Sequence, residues 1–189
     1  MARPTLFSGL CVAWLAVALA GCGRGGAPAD EPAAAPAADT ARFGAAGDPA
    51  AATVGQTVYV PVYSHIFHQD GTRELDLTAT LSVRNTDPER ALTVAAVGYY
   101  DSDGRLVRRY GSGPFRLGPL ASEAFVVEDG DRTGGVGANF LVEWHAEAAV
   151  SPPLVEAVMI STAQSQGISL VSRGWAVRAL GEPAPPPDL

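Results

Sequence analysis

Residues 75–85, LDLTATLSVRN, alternate along their whole length. Leu75, Leu77, Ala79, Leu81 and Val83 fall on one side, and Asp76, Thr78, Thr80, Ser82 and Arg84 on the other. A period of two describes a β-strand with one buried and one wet face. TVYVPVYSHIF (57–67) precedes this run. Similar runs follow at 92–100, 105–110, 123–128, 139–147, 155–162 and 168–173. Between them lie turn-forming clusters: NTDPER (85–90), DSDG (101–104), LGP (117–119), EDGD (128–131), TGGVG (133–137), SPP (151–153) and QSQG (164–167). No segment carries helical periodicity over a useful length. The pattern predicts an all-β fold, an immunoglobulin-like antiparallel β-sandwich of about eight strands. Pro61 has no N–H to give a ladder, which predicts an edge position or a bulge in the first strand. Phe140, Val142 and Trp144 alternate and are predicted to face the core.

The alternation fades at both ends. Residues 23–53 hold almost no large apolar side chains, so they cannot offset the entropy of being ordered. They read as a flexible tether with a random-coil reach of roughly 30 Å. The end, GEPAPPPDL (181–189), favours extended polyproline II. The expected divisions are a leader over 1–21, a disordered tether over 22–53, the sandwich over 54–176 and a Pro-rich tail over 177–189.

The leader has its own pattern. Arg3 supplies a positive start, and Leu6 to Ala18 form an apolar run shorter than the ~20 residues a spanning helix needs. Leu19-Ala20-Gly21-Cys22 then resembles the bacterial lipobox. In such signals the Cys thiol takes a diacylglycerol, the chain is cut before the Cys, and the new amino terminus is acylated, with palmitate as the expected chain. Cys22 is therefore the expected lipidation site and first residue of the mature protein. Several acyl chains together would hold it stably on a bilayer. Gly23 stands where an Asp would favour inner-membrane retention in Gram-negative sorting. The expectation is an exported, lipid-anchored cell-envelope protein, on the outer membrane and facing the periplasm if the cell is Gram-negative.

Charge and cysteine count narrow the classes. The chain has 13 basic and 20 acidic residues, a net of −7; removing Arg3 with the leader leaves 12 against 20, a net of −8. All basic residues are Arg. A net-negative domain is a poor nucleic-acid binder, so none is expected as a partner. Cys11 leaves with the leader, so the exported domain has no disulfide and must be held by its core.

Candidate chemistry is sparse. His65 and His68 lie three apart in a predicted strand, where side chains point to opposite faces. A copper site would have to recruit His145 and Met159 as well, and Met159 in VEAVMIST reads as core. Asp101-Ser102-Asp103-Gly104 starts like a calcium loop, but position twelve falls on Ser112, so a hairpin turn is predicted instead. The acidic stretch Glu128-Asp129-Gly130-Asp131 reads as solvated turn carboxylates. Gly134-Gly135-Val136-Gly137 leads into a strand rather than a helix N-terminus, which argues for a tightly bent loop over a phosphate cradle. Ser64 adjoins His65, but strand neighbours face apart. Gly111-Ser112-Gly113 lacks the setting of a nucleophile elbow. Glu143 and Glu156 lie on neighbouring candidate strands and form the one candidate carboxylate pair. Tyr59 and Tyr63 share a face of the first strand, and with Tyr99 and Tyr100 they are candidates for a recognition patch.

Seven blocks in order resemble a bacterial lipoprotein family catalogued as domain of unknown function 3124: GQTVYVPVYSHIFH (55–68), LTATLSVRNTDP (77–88), VGYYDSDGRLV (97–107), GPLASEAFVVE (118–128), GGVGANFLVEW (134–144), EAVMIST (156–162) and QGISLVSRG (166–174). The resemblance implies a secreted or lipid-anchored β-rich domain, and it offers no catalytic residue to carry over. The resulting expectation is a non-enzymatic binding or structural module without a cofactor. It would be held to the membrane through Cys22 and would meet an unknown envelope protein or cell-wall glycan. A copper-binding lipoprotein and an envelope hydrolase are the alternatives.

Overall fold

The structure is a computed structural model and describes residues 46–162 and 167–181. The leader with Cys22, the tether up to residue 45 and the end from residue 182 lie outside the described residues. Within them the chain forms twelve strands: β1 (Val54–Pro61), β2 (His65–His68), β3 (Arg73–Asp76), β4 (Thr78–Arg84), β5 (Leu92–Tyr100), β6 (Leu106–Tyr110), β7 (Phe115–Leu117), β8 (Ser122–Val127), β9 (Asn139–Ala146), β10 (Leu154–Ser161), β11 (Ile168–Arg173) and β12 (Trp175–Ala179). They make two antiparallel sheets. One runs β12-β1-β9-β5-β6 with β7 also on β5; the other runs β11-β10-β4-β8. The β2–β3 hairpin stands as a third, two-stranded unit.

This is the predicted all-β sandwich, and its core is the predicted set of alternate positions. Leu75, Leu77, Ala79, Leu81 and Val83 are all buried. Phe140, Val142 and Trp144 face them from the larger sheet, with Val58, Val60, Val97 and Tyr99. Each large apolar side chain so buried is worth about 1.5–3 kcal/mol relative to exposure, which is how the described residues, among which there is no cysteine, can hold two sheets together.

The strand count exceeds the expected eight because long apolar runs are cut where the chain changes partners. The run 57–67 breaks at Ser64, whose N–H and Oγ both donate to the Gly135 carbonyl while its own carbonyl accepts from Leu77 N–H. Beyond that tie the chain leaves the sheet and folds back as β2–β3. Pro61 is not in a bulge but stands at a local edge. β1 lies between β12 and β9, yet Pro61 is its last residue and lies beyond the reach of β12, so one side of it is unpaired. A missing donor costs little there.

The folded part also extends past both expected limits. β12 continues to Ala179. Ahead of β1, a 3-10 turn over Pro49–Ala51 is capped by Asp48. This N-terminal strap is held to the larger sheet by Gly47 N–H donating to Thr93 Oγ1 and Asp48 N–H donating to a Glu147 carboxylate oxygen.

β11 and β12 are one extended stretch that changes sheet at Gly174. Gly174 N–H donates to the Val155 carbonyl in the smaller sheet. A Cβ at this corner would lie 2.7 Å from Val58 Cγ1 and 2.8 Å from Val60 Cγ2 in the larger sheet. Only a residue without a side chain fits between the two layers there.

Candidate binding face on the larger sheet

The inner faces of β1 and β9 carry the core, whereas every residue of β12 is exposed. Alternation then sends Thr57 and Tyr59 of β1, and Leu141, Glu143 and His145 of β9, outward. On β12 the register against β1 shifts: Thr57 pairs with Arg178 but Val58 with Ala176, which leaves Val177 as an extra, bulged residue. Trp175 and Arg178 are three apart and would face opposite ways in a regular strand. The bulge puts both outward.

The outer face is therefore built in rows across three strands. Trp175, Tyr59 and Leu141 form one row, and Arg178, Thr57 and Glu143 the next. Rows of outward residues are ~7 Å apart along the strands, and Arg178 and Glu143 are separated by two strand spacings, ~10 Å. The Tyr59 and Trp175 rings lie 5.2 Å apart, tilted by 43°. Trp175 remains 54% exposed. Glu143 and Arg178 are both exposed, and neither side chain makes a hydrogen bond or ion pair with a described residue.

A cleft of about 230 Å³ opens beside the polar row, lined by Thr57, Glu143, Arg178, Ala95, Leu180 and strap residue Pro49 among others. His145, in the row beyond, also lines it but is only 6% exposed, and both its ring nitrogens lack a hydrogen-bond partner.

The histidines and Met159 do not come together. β9 pairs Asn139 with Pro61 and His145 with Gly55, so His145 stands about 20 Å along the sheet from Pro61, with His65 and His68 beyond it. Met159 is core, and its sulfur accepts from Tyr63 N–H at 3.3 Å. No group of three or more His, Cys, Asp or Glu side chains among the described residues could hold a metal ion. Glu143 and Glu156 are not a pair either. β9 and β10 belong to different sheets, and Glu156 turns outward on the smaller one, where Arg84 lies 3.3 Å away.

At the end of the sandwich the sequence-flagged loops tie to one another. Ser64 Oγ is 3.2 Å from His65 Nδ1, a contact that the chain break at Ser64 allows. His65 Nε2 lies 3.8 Å from Glu74, which with Asp76 also holds Arg132. A serine, a histidine and a carboxylate thus follow one another, yet Ser64 is 1% exposed and its hydroxyl is given to Gly135. A buried hydroxyl so engaged has no path to a substrate carbonyl.

The glycine loop packs directly on Tyr99, where a Cβ on Gly134 would overlap the phenol oxygen. Burial, and then the Asp131 carboxylate, push the Tyr99 phenol above its ordinary range. Ser64 weakly favours the ionised form, but the two oxygens do not meet in hydrogen-bond geometry, and the Tyr99 hydroxyl has no partner. Asp131 itself pairs with Arg108 at 3.2 Å. Asp101 receives N–H bonds from Asp103 and Arg105 and closes the predicted β5–β6 hairpin turn.

The exposed face was only partly legible. The sequence marks Tyr59 as a recognition candidate and Glu143 as half of a carboxylate pair, whereas Trp175 and Arg178 fall at the expected boundary of the tail. The available signal was a Trp just past the last predicted strand, in GWAVRA.

The family model described as protein of unknown function (DUF3124) matches residues 55–177. No curated protein matches the chain. A solved structure titled as that of Thermotoga maritima 1070 aligns over 64% of this chain and 92% of its own, at 11% identity and a TM-score of 0.38.

Proposed function

The chain belongs to the DUF3124 family, and from that premise we propose that it is a non-enzymatic binding module of the bacterial cell envelope, lipid-anchored at Cys22, that presents the outer face of its larger sheet to a partner. One observation carries the reading. An exposed Trp175 packed against the half-buried Tyr59 stands beside Arg178, Thr57 and Glu143, whose side chains are held out of the same face without partners among the described residues. Large aromatics are enriched in binding surfaces because they bury much area with few rotatable bonds. Arg178 and Glu143 both line the cleft beside the polar row. The hydrolase alternative would run through Ser64, whose burial speaks against it.

Cross-linking in living cells tests the assignment. The wild-type chain is expected to capture an envelope component, and the Trp175→Ala/Arg178→Ala double variant to lose it at equal abundance and thermal stability. Undiminished capture by the double variant would remove the outer face from the function.

A further inference from the structure

We propose that the ligand of this face is a neutral glycan chain laid across β12, β1 and β9. One sugar ring stacks on Tyr59 and Trp175, and the hydroxyls of the next are held by Arg178, Thr57 and Glu143. The proposal rests on the reading of this face as the binding face. Size comes first: the cleft of about 230 Å³ is below the ~300–1,000 Å³ of pockets that enclose a whole small molecule. It suits one unit of a longer ligand whose neighbours lie on the open sheet.

Chemistry comes second. Sugar hydroxyls both donate and accept, and the polar row offers a guanidinium that only donates, a carboxylate that only accepts and a hydroxyl that does either. One positive and one negative side chain leave the row neutral, so the ligand needs no net charge. The aromatic row, ~7 Å along, offers ring faces of the kind that apolar C–H faces of a pyranose cover.

A peptide fits less well. Laid face-on, it could not reach the free hydrogen-bonding edge of a sheet, and its backbone groups would lose water without gaining partners.

The test uses the full chain carrying Cys22→Ser. The probes are the tetramer of β1,4-linked N-acetylglucosamine and cellotetraose, followed by titration calorimetry and tryptophan fluorescence. Saturable binding of at least one probe is expected. Trp175→Ala should weaken it about tenfold, and Glu143→Gln and Arg178→Gln each by several-fold, with melting temperatures unchanged. Because the row is neutral, raising the salt to about 0.5 M should change the affinity less than threefold. If neither tetrasaccharide binds, yet the Trp175→Ala/Arg178→Ala variant still loses its captured partner in cells, the glycan assignment fails while the face stands, and a protein partner replaces it. If that variant neither loses its partner nor changes sugar binding, both readings fall.

Discussion

Single residues in this protein mostly serve as ties between loops, and Asp87 is the clearest. One carboxylate oxygen accepts from Glu89 and Arg90 N–H, and the other from Ser151 N–H across the molecule. Asn85, buried beside it, donates to the Arg90 and Gly118 carbonyls. The N–H bonds from Glu89, Ser151 and Arg90 hold the Asp87 carboxyl below its ordinary range, while the unfolded chain titrates near ~3.9. The folded state then binds its proton later than the unfolded state, so the stabilisation is present above that value and is lost as pH falls through the lower, folded one. Asp87→Ala is expected to lower the melting temperature clearly at pH 7, and the gap to wild type should begin to narrow below about pH 4 and keep closing as the pH falls further. A gap independent of pH would mean that the contribution is not electrostatic. Gly134 makes a different tie. Gly134→Ala should cost about 1–3 kcal/mol by overpacking, and Tyr99→Phe, which removes the opposing oxygen, should restore part of it in a double-mutant cycle read by chemical denaturation. Strict additivity of the two changes would refute the contact.

Elements decide which residues share a surface. Alternation was legible at once in 75–85, where all five apolar positions are buried, and in Phe140, Val142 and Trp144. Its limits show where the strand is irregular. The bulge at Val177 carries Trp175 and Arg178 to one face, and the break at Ser64 lets adjacent Ser64 and His65 touch. Neither irregularity has a local sequence cause strong enough to see, because each is imposed by a partner strand or loop: β1 in the first case, Gly135 in the second. Removing Val177 leaves Trp175 and Arg178 two apart, so a regular β12 would still hold both outward. Partner capture is therefore expected to survive this deletion, with the far-ultraviolet circular dichroism still that of a β protein. Loss of capture at unchanged thermal stability would show that the bulged backbone itself shapes the face.

The whole molecule adds placement. Consecutive strands often lie in different sheets: β9 and β10 do, which separates Glu143 from Glu156, and β11 passes to β12 through Gly174. The strap over Pro49–Ala51 lies at the His145 end of the candidate face. Cys22→Ser is expected to abolish labelling by a clickable fatty-acid analogue in cells and to release the protein from the membrane fraction. Persistent labelling would refute the anchor.

From its sequence alone this protein is determined to be all-β, with its buried side chains named in advance, because alternation is a local consequence of backbone geometry and holds wherever a strand forms. Its family could be recognised for the same reason, since the blocks that carry it are those strands and their turns. Only the tertiary structure decided that Trp175, Tyr59, Arg178, Thr57 and Glu143 share one surface. That surface depends on which strands lie side by side and where one of them gains a residue, and hydrogen-bond register between segments more than 80 positions apart is a property of the folded chain.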